Sequence, residues 1–483
     1  MKLDLLITAG TIAAILFTPV AAQQALDRTK VPAPAETPEL RVPAWTKTRL
    51  SNGADLIVSE KHDLPLVSFS ITFLGGSNQF EPADRTALAS ITASMMSEGT
   101  TTRDGEALSN ALQLLGTSVS ASVGDESGSM SFVSSTGRFN QTLAILADML
   151  ANPVFPAAAL ERIRGQRLVA LTQGRDRPAT IASRVFPRVL YGTDHPYGRF
   201  TTEESIKSVT RDDVIAFHRA YFQPGRALIT VVGDVKAAEV KPAVEKALAG
   251  WRRGGERPGF KYPAVPARGK TTIYLVDKPG AAQSTVTIGH PGPPRGTPDY
   301  YALQVMNTML GGMFQSRLNA NIREDKGYSY GVGSGFNYGK GPGAFSADGN
   351  IVSDKTDEAL VEFMKELRGI LGSRPVADDE LRTAKQSLIQ RLPSSFGSVA
   401  GTNNSLRTIW TQNLPDDYYQ QYAKAIAAVT KDDVLRVAKK HIDLDHLAIV
   451  IVGDRASIEA PLKATGIAPI AILDIEGRPQ GTM

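Results

Sequence analysis

Two matching segments, which begin at Val209 and Val429, constrain the fold of this 483-residue chain more than any other feature. The first is VTRDDVIAFHRAYF and the second is VTKDDVLRVAKKHI, and each precedes a short apolar run that ends in Gly-Asp. An offset of 220 residues is far longer than the repeating unit of a solenoid. The repeat therefore predicts two homologous domains.

The patterns between these segments predict the fold class and the domain boundaries. Runs of strands and runs of helices follow one another without strict alternation, which is typical of α+β proteins. Residues 252–269 are rich in glycine, proline and charge and are predicted to link the domains. The N-terminal domain is therefore predicted over residues 45–251, the C-terminal domain over residues 270–467 and a tail over residues 468–483.

The N-terminal residues predict export rather than a part of the fold. Lys2, the apolar stretch after it and the small residues Val20-Ala21-Ala22 are typical of a cleavable signal peptide over residues 1–22, with an uncleaved anchor as the alternative. Prolines then predict an extended linker over residues 23–44. We therefore expect a periplasmic protein, and no stable membrane span in the mature chain, because the apolar stretch is short for one.

The cysteine count and the net charge argue against a disulfide framework, a lipid attached through cysteine and nucleic-acid binding. The chain has no cysteine, which excludes a disulfide framework and the attachment of a lipid through cysteine. Its 53 basic and 49 acidic residues leave a formal charge of only +4, without a basic cluster that would indicate nucleic-acid binding.

Hydrophobic periodicity predicts most elements of the N-terminal domain. An Asn52-Gly53 turn between two short alternating runs predicts a β-hairpin. The other predicted strands are residues 66–73, a pair within 118–133, and 227–232, and the predicted helices are residues 84–97, 105–115, 140–150, 156–172 and 209–221.

The stretch from Asp299 to Phe336 has the clearest local signals of the C-terminal domain. Apolar residues recur at helical spacing on both sides of Gly311-Gly312, which predicts two helices that meet at a flexible joint. Gly327 is predicted to end the second helix, and the alternating run from Tyr328 to Phe336 predicts a strand.

Arg323 and Tyr330 are the candidate functional residues of this stretch, in the last helical turn and near the start of the strand. A helix that folds back onto the strand would bring the two side chains together. Each residue also has an ordinary interpretation, because an arginine in a last turn complements the helix dipole and a tyrosine at a strand start is usually packing.

The run LGGMFQSRLNANIREDKGYSYGV resembles the second-half motif of the pitrilysin, insulinase and mitochondrial-processing-peptidase family of zinc metallopeptidases. In that family an arginine and a tyrosine seven residues later reach the active site from the half without zinc, and Arg323 and Tyr330 match this spacing. The resemblance covers about residues 45–466. It implies two α+β sandwich domains, each a mixed sheet with helices on one face, that together form half of a clamshell. Gly311, Gly312, Gly331 and Gly333 are the predicted substrate-binding residues, because glycines would let a peptide lie against the backbone.

The zinc motif of this family, His-x-x-Glu-His, has its frame in the chain but not its ligands. Ser90 and Ser94 stand at the histidine positions, and Ala93 stands at the position of the glutamate base. Residues 169–172, where a third ligand is expected, contain no acid. Serine hydroxyls are poor zinc ligands and alanine cannot accept a proton, so we predict no metal at these positions.

Two other sources of chemistry have little support. No two of the six histidines are four residues apart, and His441 and His446 are five apart at a predicted helix end. The G-x-S-x-G run at residues 327–331 follows a predicted helix and precedes a strand, whereas a nucleophile elbow needs the reverse order.

The resemblance implies a subunit without metal in a heterodimeric zinc endopeptidase. A homologous partner that carries His-x-x-Glu-His would supply the zinc and the base. Arg323 and Tyr330 would bind unfolded peptide substrates and stabilise the oxyanion. This chain would then hold no cofactor and be inactive alone. The alternative is a catalytically inactive scaffold or peptide-binding protein of the same fold, in which the Arg–Tyr pair only packs.

Overall fold

The structure is a computed structural model that describes residues 40–257 and 259–480. The predicted signal peptide and residues 23–39 of the predicted linker lie outside the described residues. Within the described ranges, no helix combines the length and the apolar character needed to cross a membrane.

The N-terminal half is built around a six-stranded mixed sheet. Its strands are β1 (Thr46–Arg49), β2 (Asp55–Glu60), β3 (Leu66–Leu74), β4 (Ser120–Val123), β5 (Ser127–Ser135) and β6 (Ala227–Gly233). The spatial order is β1-β2-β6-β3-β5-β4, and only the β2–β6 pair is parallel. The predicted hairpin is confirmed, and Gly53 has the positive φ of 98° that favours glycine in its turn.

The helices of this half, with the exception of α6, cover one face of the sheet. They are α1 (Ser77–Phe80), α2 (Leu88–Met95), α3 (Gly105–Leu114), α4 (Phe139–Ala151), α5 (Ala157–Gly174), α6 (Pro178–Tyr191), α7 (Glu203–Ser208), α8 (Arg211–Tyr221) and α9 (Ala237–Ala247). Alternate residues of β3, including Phe69 and Phe73, join Ile91 and Met95 of α2 in the core beneath them. The helix that was predicted over residues 84–97 is shorter than expected. It begins at Leu88, because the residues before it form turns, and it ends at Met95.

The C-terminal half repeats this sheet. Its strands are β7 (Thr272–Asp277), β8 (Gln283–Pro291), β9 (Ser329–Phe336), β10 (Ala344–Val352), β11 (Ala448–Gly453) and β12 (Ile470–Leu473), in the order β12-β7-β11-β8-β10-β9. The two apolar runs of the sequence repeat are β6 and β11, and each occupies the third place in its sheet. The prediction of two homologous α+β units is thus confirmed.

The helices of this half include the second copy of the repeated helix. They are α10 (Tyr300–Asn307), α11 (Arg317–Asn319), α12 (Thr356–Arg368), α13 (Asp378–Arg391), α14 (Val399–Thr411), α15 (Tyr418–Ala428), α16 (Lys431–His441) and α17 (Arg455–Ala464). Helices α8 and α16 begin with the same capping box, Thr210 with Asp213 and Thr430 with Asp433. The shared Thr-x-x-Asp pattern explains why the two segments begin helices at the same point.

Each sheet also receives one helix from the other half on its second face. Helix α6 packs Val185 against Val450 of β11, and α14 lies across β3 and β6. The side-chain amide of Asn403 in α14 donates to the carbonyls of Ser68 and Thr230, at 3.2 and 3.0 Å. The prediction of helices on one face of the sheet therefore holds for each half by itself. The second face of each sheet is covered by a helix from the other half, and this exchange of helices joins the halves.

The predicted tail needs a correction. Residues 470–473 form β12, which pairs in parallel with β7 and is the outer strand of the second sheet. The short sequence IAIL is apolar enough to complete a sheet, but its partner strand lies about two hundred residues earlier, so the sequence offers no local sign of the pairing.

Candidate functional site

Helix α2 carries the positions that align with the zinc motif. The Ser90 hydroxyl donates to the carbonyl of Ala87 at 3.1 Å, and the Ser94 hydroxyl donates to the carbonyl of Ser90 at 2.9 Å. Ala93 is buried. Both hydroxyls therefore bond to their own helix, as serine does in helix interiors, and neither is held ready for a metal ion.

Arg167 of α5 lies against this helix and was not singled out by sequence reasoning. Its Nη2 donates to Ser94 Oγ at 2.9 Å. A guanidinium stays protonated in proteins, so its positive charge would repel a metal cation bound at Ser94. The neighbouring residues 169–172 supply no carboxylate. These side chains do not fit a zinc ion. The only sequence signal for the contact between Arg167 and Ser94 is that an arginine lies close to residues 169–172, where the third zinc ligand was expected.

The histidines near the end of α16 form pairs with carboxylates. His441 Nε2 lies 2.8 Å from Asp299 Oδ2, and His446 Nδ1 lies 2.7 Å from Asp443 Oδ2. Burial alone would raise the pKa of Asp299, but hydrogen bonds with His441, Lys440 and Arg436 outweigh it and lower that pKa. Within the described residues, no three His, Asp or Glu side chains are grouped so as to hold a metal ion.

Glu81 is a partly buried carboxylate at the start of α2. Its Oε1 accepts a hydrogen bond from the Ala89 backbone N–H at 2.8 Å, which helps to satisfy the free N–H groups of the first helical turn. Burial raises the pKa of Glu81 to about 7, against the lowering effect of that bond, and the nearby Asp125 raises it further. The carboxyl is therefore protonated in the folded state at pH values where it is ionised in the unfolded chain.

We expect Glu81→Gln to remove a pH dependence of stability. Because the folded-state pKa lies above the ordinary 4.5, wild-type stability should fall as pH rises from about 4.5 to about 7. At pH 8 the variant should be more stable by roughly 3–4 kcal/mol, since one pKa unit corresponds to about 1.4 kcal/mol and the pKa rises from 4.5 to about 7. Urea unfolding at pH 4 to 8 measures this difference, with the exposed Glu256→Gln as control. Parallel curves for wild type and Glu81→Gln would contradict the prediction.

The stretch that carries Arg323 is less regular than two joined helices. A wide π-helical turn, Thr308–Gly312, follows α10, and Met313 is extended. Helix α11 is a single turn that passes into a second π-helical turn, Ala320–Asp325. Gly327 has a φ of 68° and its N–H donates to the carbonyl of Arg323 at 3.0 Å, which confirms the predicted helix end.

Arg323 is half exposed and has two neighbours within its own segment. Its guanidinium lies 4.6 Å from the centre of the Phe314 ring, and its Nε lies 3.1 Å from Glu324 Oε1. Phe314 is itself exposed. The described residues show no hydrogen bond between Arg323 and Tyr330, and the proximity of their side chains that was expected from the fold-back stays a prediction.

Tyr330 lies on a β-bulge at the start of β9, the outer strand of the second sheet. Two residues, Tyr330 and Gly331, face the single Asn350 of β10, because the register shifts between Gly349 and Ile351. Tyr330 is 87% exposed. Bulges redirect side chains, and this one leaves the phenol free to contact another molecule.

Two asparagines hold β9 against the helical segment and were not predicted as site residues. Asn307 Nδ2 donates to the carbonyl of Ser334 at 3.0 Å, and Asn319 Oδ1 accepts from the Val332 N–H at 3.3 Å. Asn319 Nδ2 also donates to the carbonyl of Phe314 at 2.8 Å. Asn319 therefore ties the Phe314 turn to the strand that carries Tyr330. A polar residue on the inward side of a helical turn is the signal that could have indicated it.

The four glycines predicted to contact substrate differ in their surroundings. A Cβ at Gly311 would lie 2.3 Å from the backbone nitrogen of Ser334, and one at Gly333 would lie 3.2 Å from the Gly311 carbonyl oxygen. A Cβ at Gly312 would lie 3.1 Å from Asn307. These three glycines allow close packing inside the chain, whereas Gly331 is exposed beside Tyr330. A role for any of them in substrate binding stays a prediction.

Comparison with protein families matches both halves of the chain. Residues 56–185 match the family model described as insulinase (peptidase family M16). Residues 208–388 match the model described as the peptidase M16 inactive domain. The first match contains the serines of α2, and the second contains Arg323 and Tyr330.

Individual relatives agree with these matches. An uncharacterized zinc protease of Bacillus subtilis, YmxG, is 24% identical over 350 residues, which cover 72% of this chain and 83% of the relative. A Helicobacter pylori protein named non-peptidase homolog YmxG is 23% identical over 403 residues, which cover 83% of this chain and 92% of the relative. The crystal structure of a peptidase M16 inactive domain from Pseudomonas fluorescens superposes with a TM-score of 0.77 at 26% identity, over 85% of this chain and 98% of that one.

Proposed function

Because this chain belongs to the insulinase (peptidase M16) family and is of the family's inactive type, we propose that it is the subunit without zinc in a heterodimeric zinc endopeptidase. A homologous partner with an intact His-x-x-Glu-His motif would supply the zinc and the glutamate base. The signal-like residues 1–22 support a periplasmic complex.

One contrast carries the proposal. The α2 positions have lost their ligands and lie against the guanidinium of Arg167, whereas Tyr330 remains an exposed phenol on a bulge. An exposed tyrosine that makes no side-chain hydrogen bond with the described residues contributes little to folding. Its position is therefore better explained by contact with another molecule.

Arg323 and Tyr330 are suited to bind a peptide and to stabilise charge during its hydrolysis. A phenol O–H and a guanidinium can each donate a hydrogen bond to the oxygen that becomes negative when the peptide carbonyl is attacked. In this proposal the partner's zinc activates the attacking water. This chain contributes the donors, and Asn319 positions the strand and the turn that carry them.

A scaffold or peptide-binding role is the second candidate, and the position of Arg323 favours it. The guanidinium already lies over Phe314 and beside Glu324, which is the packing role that the scaffold candidate gives to it. The two candidates differ in whether the assembled complex needs this chain for its rate or only for its assembly.

A mixing experiment tests the proposal. This chain alone should not cleave unfolded peptides, and neither should a homologous partner of similar length that carries His-x-x-Glu-His. The mixture should form a heterodimer by size-exclusion chromatography and cleave them, and a zinc chelator should abolish the activity. Ser94→Ala in this chain should leave the rate unchanged, because the proposal places the zinc in the partner and not at Ser94. A heterodimer without peptidase activity would favour the scaffold role, and the absence of any complex would contradict both.

A further inference from the structure

A cleft of about 780 Å³ lies between the first sheet and α14. Hydroxyl groups of β3, β4 and β5 line the sheet side, including those of Ser120 and Ser131, and α14 lines the other side with Asn404 and Arg407. Among the described residues that line the cleft, Arg407 is the only charged side chain. The cleft contains no residue of the Arg323 and Tyr330 surface.

Arg407 is a half-buried arginine without a carboxylate partner. Its side chain makes no hydrogen bond and no ion pair with the described residues, and its Nε is buried without a partner. Burial lowers the pKa of Arg407 because no nearby acid offsets the cost of desolvation. The buried Arg317, in contrast, bonds to both carboxylate oxygens of Glu380. Partly buried charges are normally paired, so Arg407 is poised for an anion from outside the chain.

The walls of the cleft offer further hydrogen-bond donors. The side chains of Ser118, Ser120, Ser131 and Asn404 make no hydrogen bond within the described part of the chain. Asn403, in the same turn of α14, is fully occupied by Ser68, Ser70 and Thr230 and fixes the helix on the sheet. The donors therefore lie on the side of the first sheet and on α14, and Asn403 fixes the position of the helix relative to the sheet.

We propose that this cleft binds an oxyanion, the carboxylate or phosphate group of a ligand, with Arg407 as its charged partner and the wall hydroxyls as additional donors. The planar guanidinium can bind two oxygens of either group at once.

A peptide terminus is one source of such a group, and the place of β4 suggests how it would reach the cleft. Ser120 is the first residue of β4, the outer strand of the first sheet. A peptide added antiparallel to β4 would direct its C-terminal carboxylate toward that residue. A free anion such as inorganic phosphate is the other source.

Calorimetric titration of the full chain with two kinds of probe tests the proposal. One probe is inorganic phosphate, and the other is an unstructured peptide with either a free or an amidated C-terminus. The wild type should bind phosphate, the free-acid peptide, or both, and amidation should weaken the peptide at least about tenfold if the terminus is the ligand. Arg407→Met should weaken binding at least about tenfold, because it removes a charge-assisted hydrogen bond to the anion. Arg407→Lys, which keeps the charge but not the planar fork, should lose less.

Arg382→Met is the matched control, because Arg382 is exposed on α13 and its loss changes the net charge equally. It should bind both probes as the wild type does. Discrimination between the free-acid and amidated peptides would identify a peptide terminus, and binding of phosphate without that discrimination would identify a free anion. Equal binding by wild type, Arg407→Met and Arg382→Met, or no binding of either probe by the wild type, would overturn the proposal. These outcomes do not depend on peptidase activity.

Discussion

Replacing Tyr330 by phenylalanine is expected to lower kcat/KM of the assembled heterodimer by about two to three orders of magnitude, which is roughly 3–4 kcal/mol of transition-state stabilisation. The side chain is 87% exposed, and its hydroxyl makes no hydrogen bond with the described residues, so loss of the hydroxyl should cost the fold little. The variant should therefore fold and assemble as the wild type does. The effect should appear in kcat more than in KM, because the hydroxyl donates to charge that develops during the reaction.

Tyr328→Phe is the matched control for this experiment. Tyr328 lies two residues earlier, and its hydroxyl donates to Glu358 within the same chain. Its loss should change kcat/KM less than about threefold, since a surface hydrogen bond contributes little. A wild-type rate for Tyr330→Phe in a stable heterodimer would show that the phenol does not act in catalysis, and the scaffold role would then be favoured.

Sequence reasoning succeeded where the interacting residues are close in the chain. The helix predicted over residues 209–221 is α8, its repeat from Val429 is α16, and the predicted Asn52-Gly53 turn joins the strands of the first hairpin. The repeat then implied equivalent sheets, because two segments with the same local pattern occupy the same place in each half. The loss of the metal ligands in α2 was also visible, since their spacing is fixed by one helix.

Contacts between distant segments could not be predicted in the same way. The placement of α6 on the second sheet and of α14 on the first depends on surfaces about two hundred residues away, for which hydrophobic periodicity offers no signal. Arg167 reaches Ser94 from another helix, and Asn319 reaches β9 across a turn. The π-helical turns around Arg323 were also missed, because a widened turn keeps nearly the same apolar spacing as an α-helix.

The segment that carries Arg323 depends on Arg317, whose side chain is buried in α11. Its Nε and Nη2 lie 2.5 and 2.8 Å from the two carboxylate oxygens of Glu380, and its Nη1 donates to the carbonyl of Arg374 at 3.0 Å. One guanidinium therefore fixes the single turn of α11 to α13 and to the loop before it.

Arg317→Ala is accordingly expected to lower the free energy of unfolding by about 3 kcal/mol, the lower end of the range for breaking a buried ion pair. The lower end applies because the Glu380 side chain is 19% exposed and can recover some hydration, whereas the Arg374 carbonyl loses its donor. Urea unfolding followed by circular dichroism measures the change. The exposed Arg382→Ala, on the same helix as Glu380, should change stability by less than about 0.5 kcal/mol. Equal stability of the two variants would mean that packing of Leu318 and Ile322, and not the ion pair, holds the segment in place.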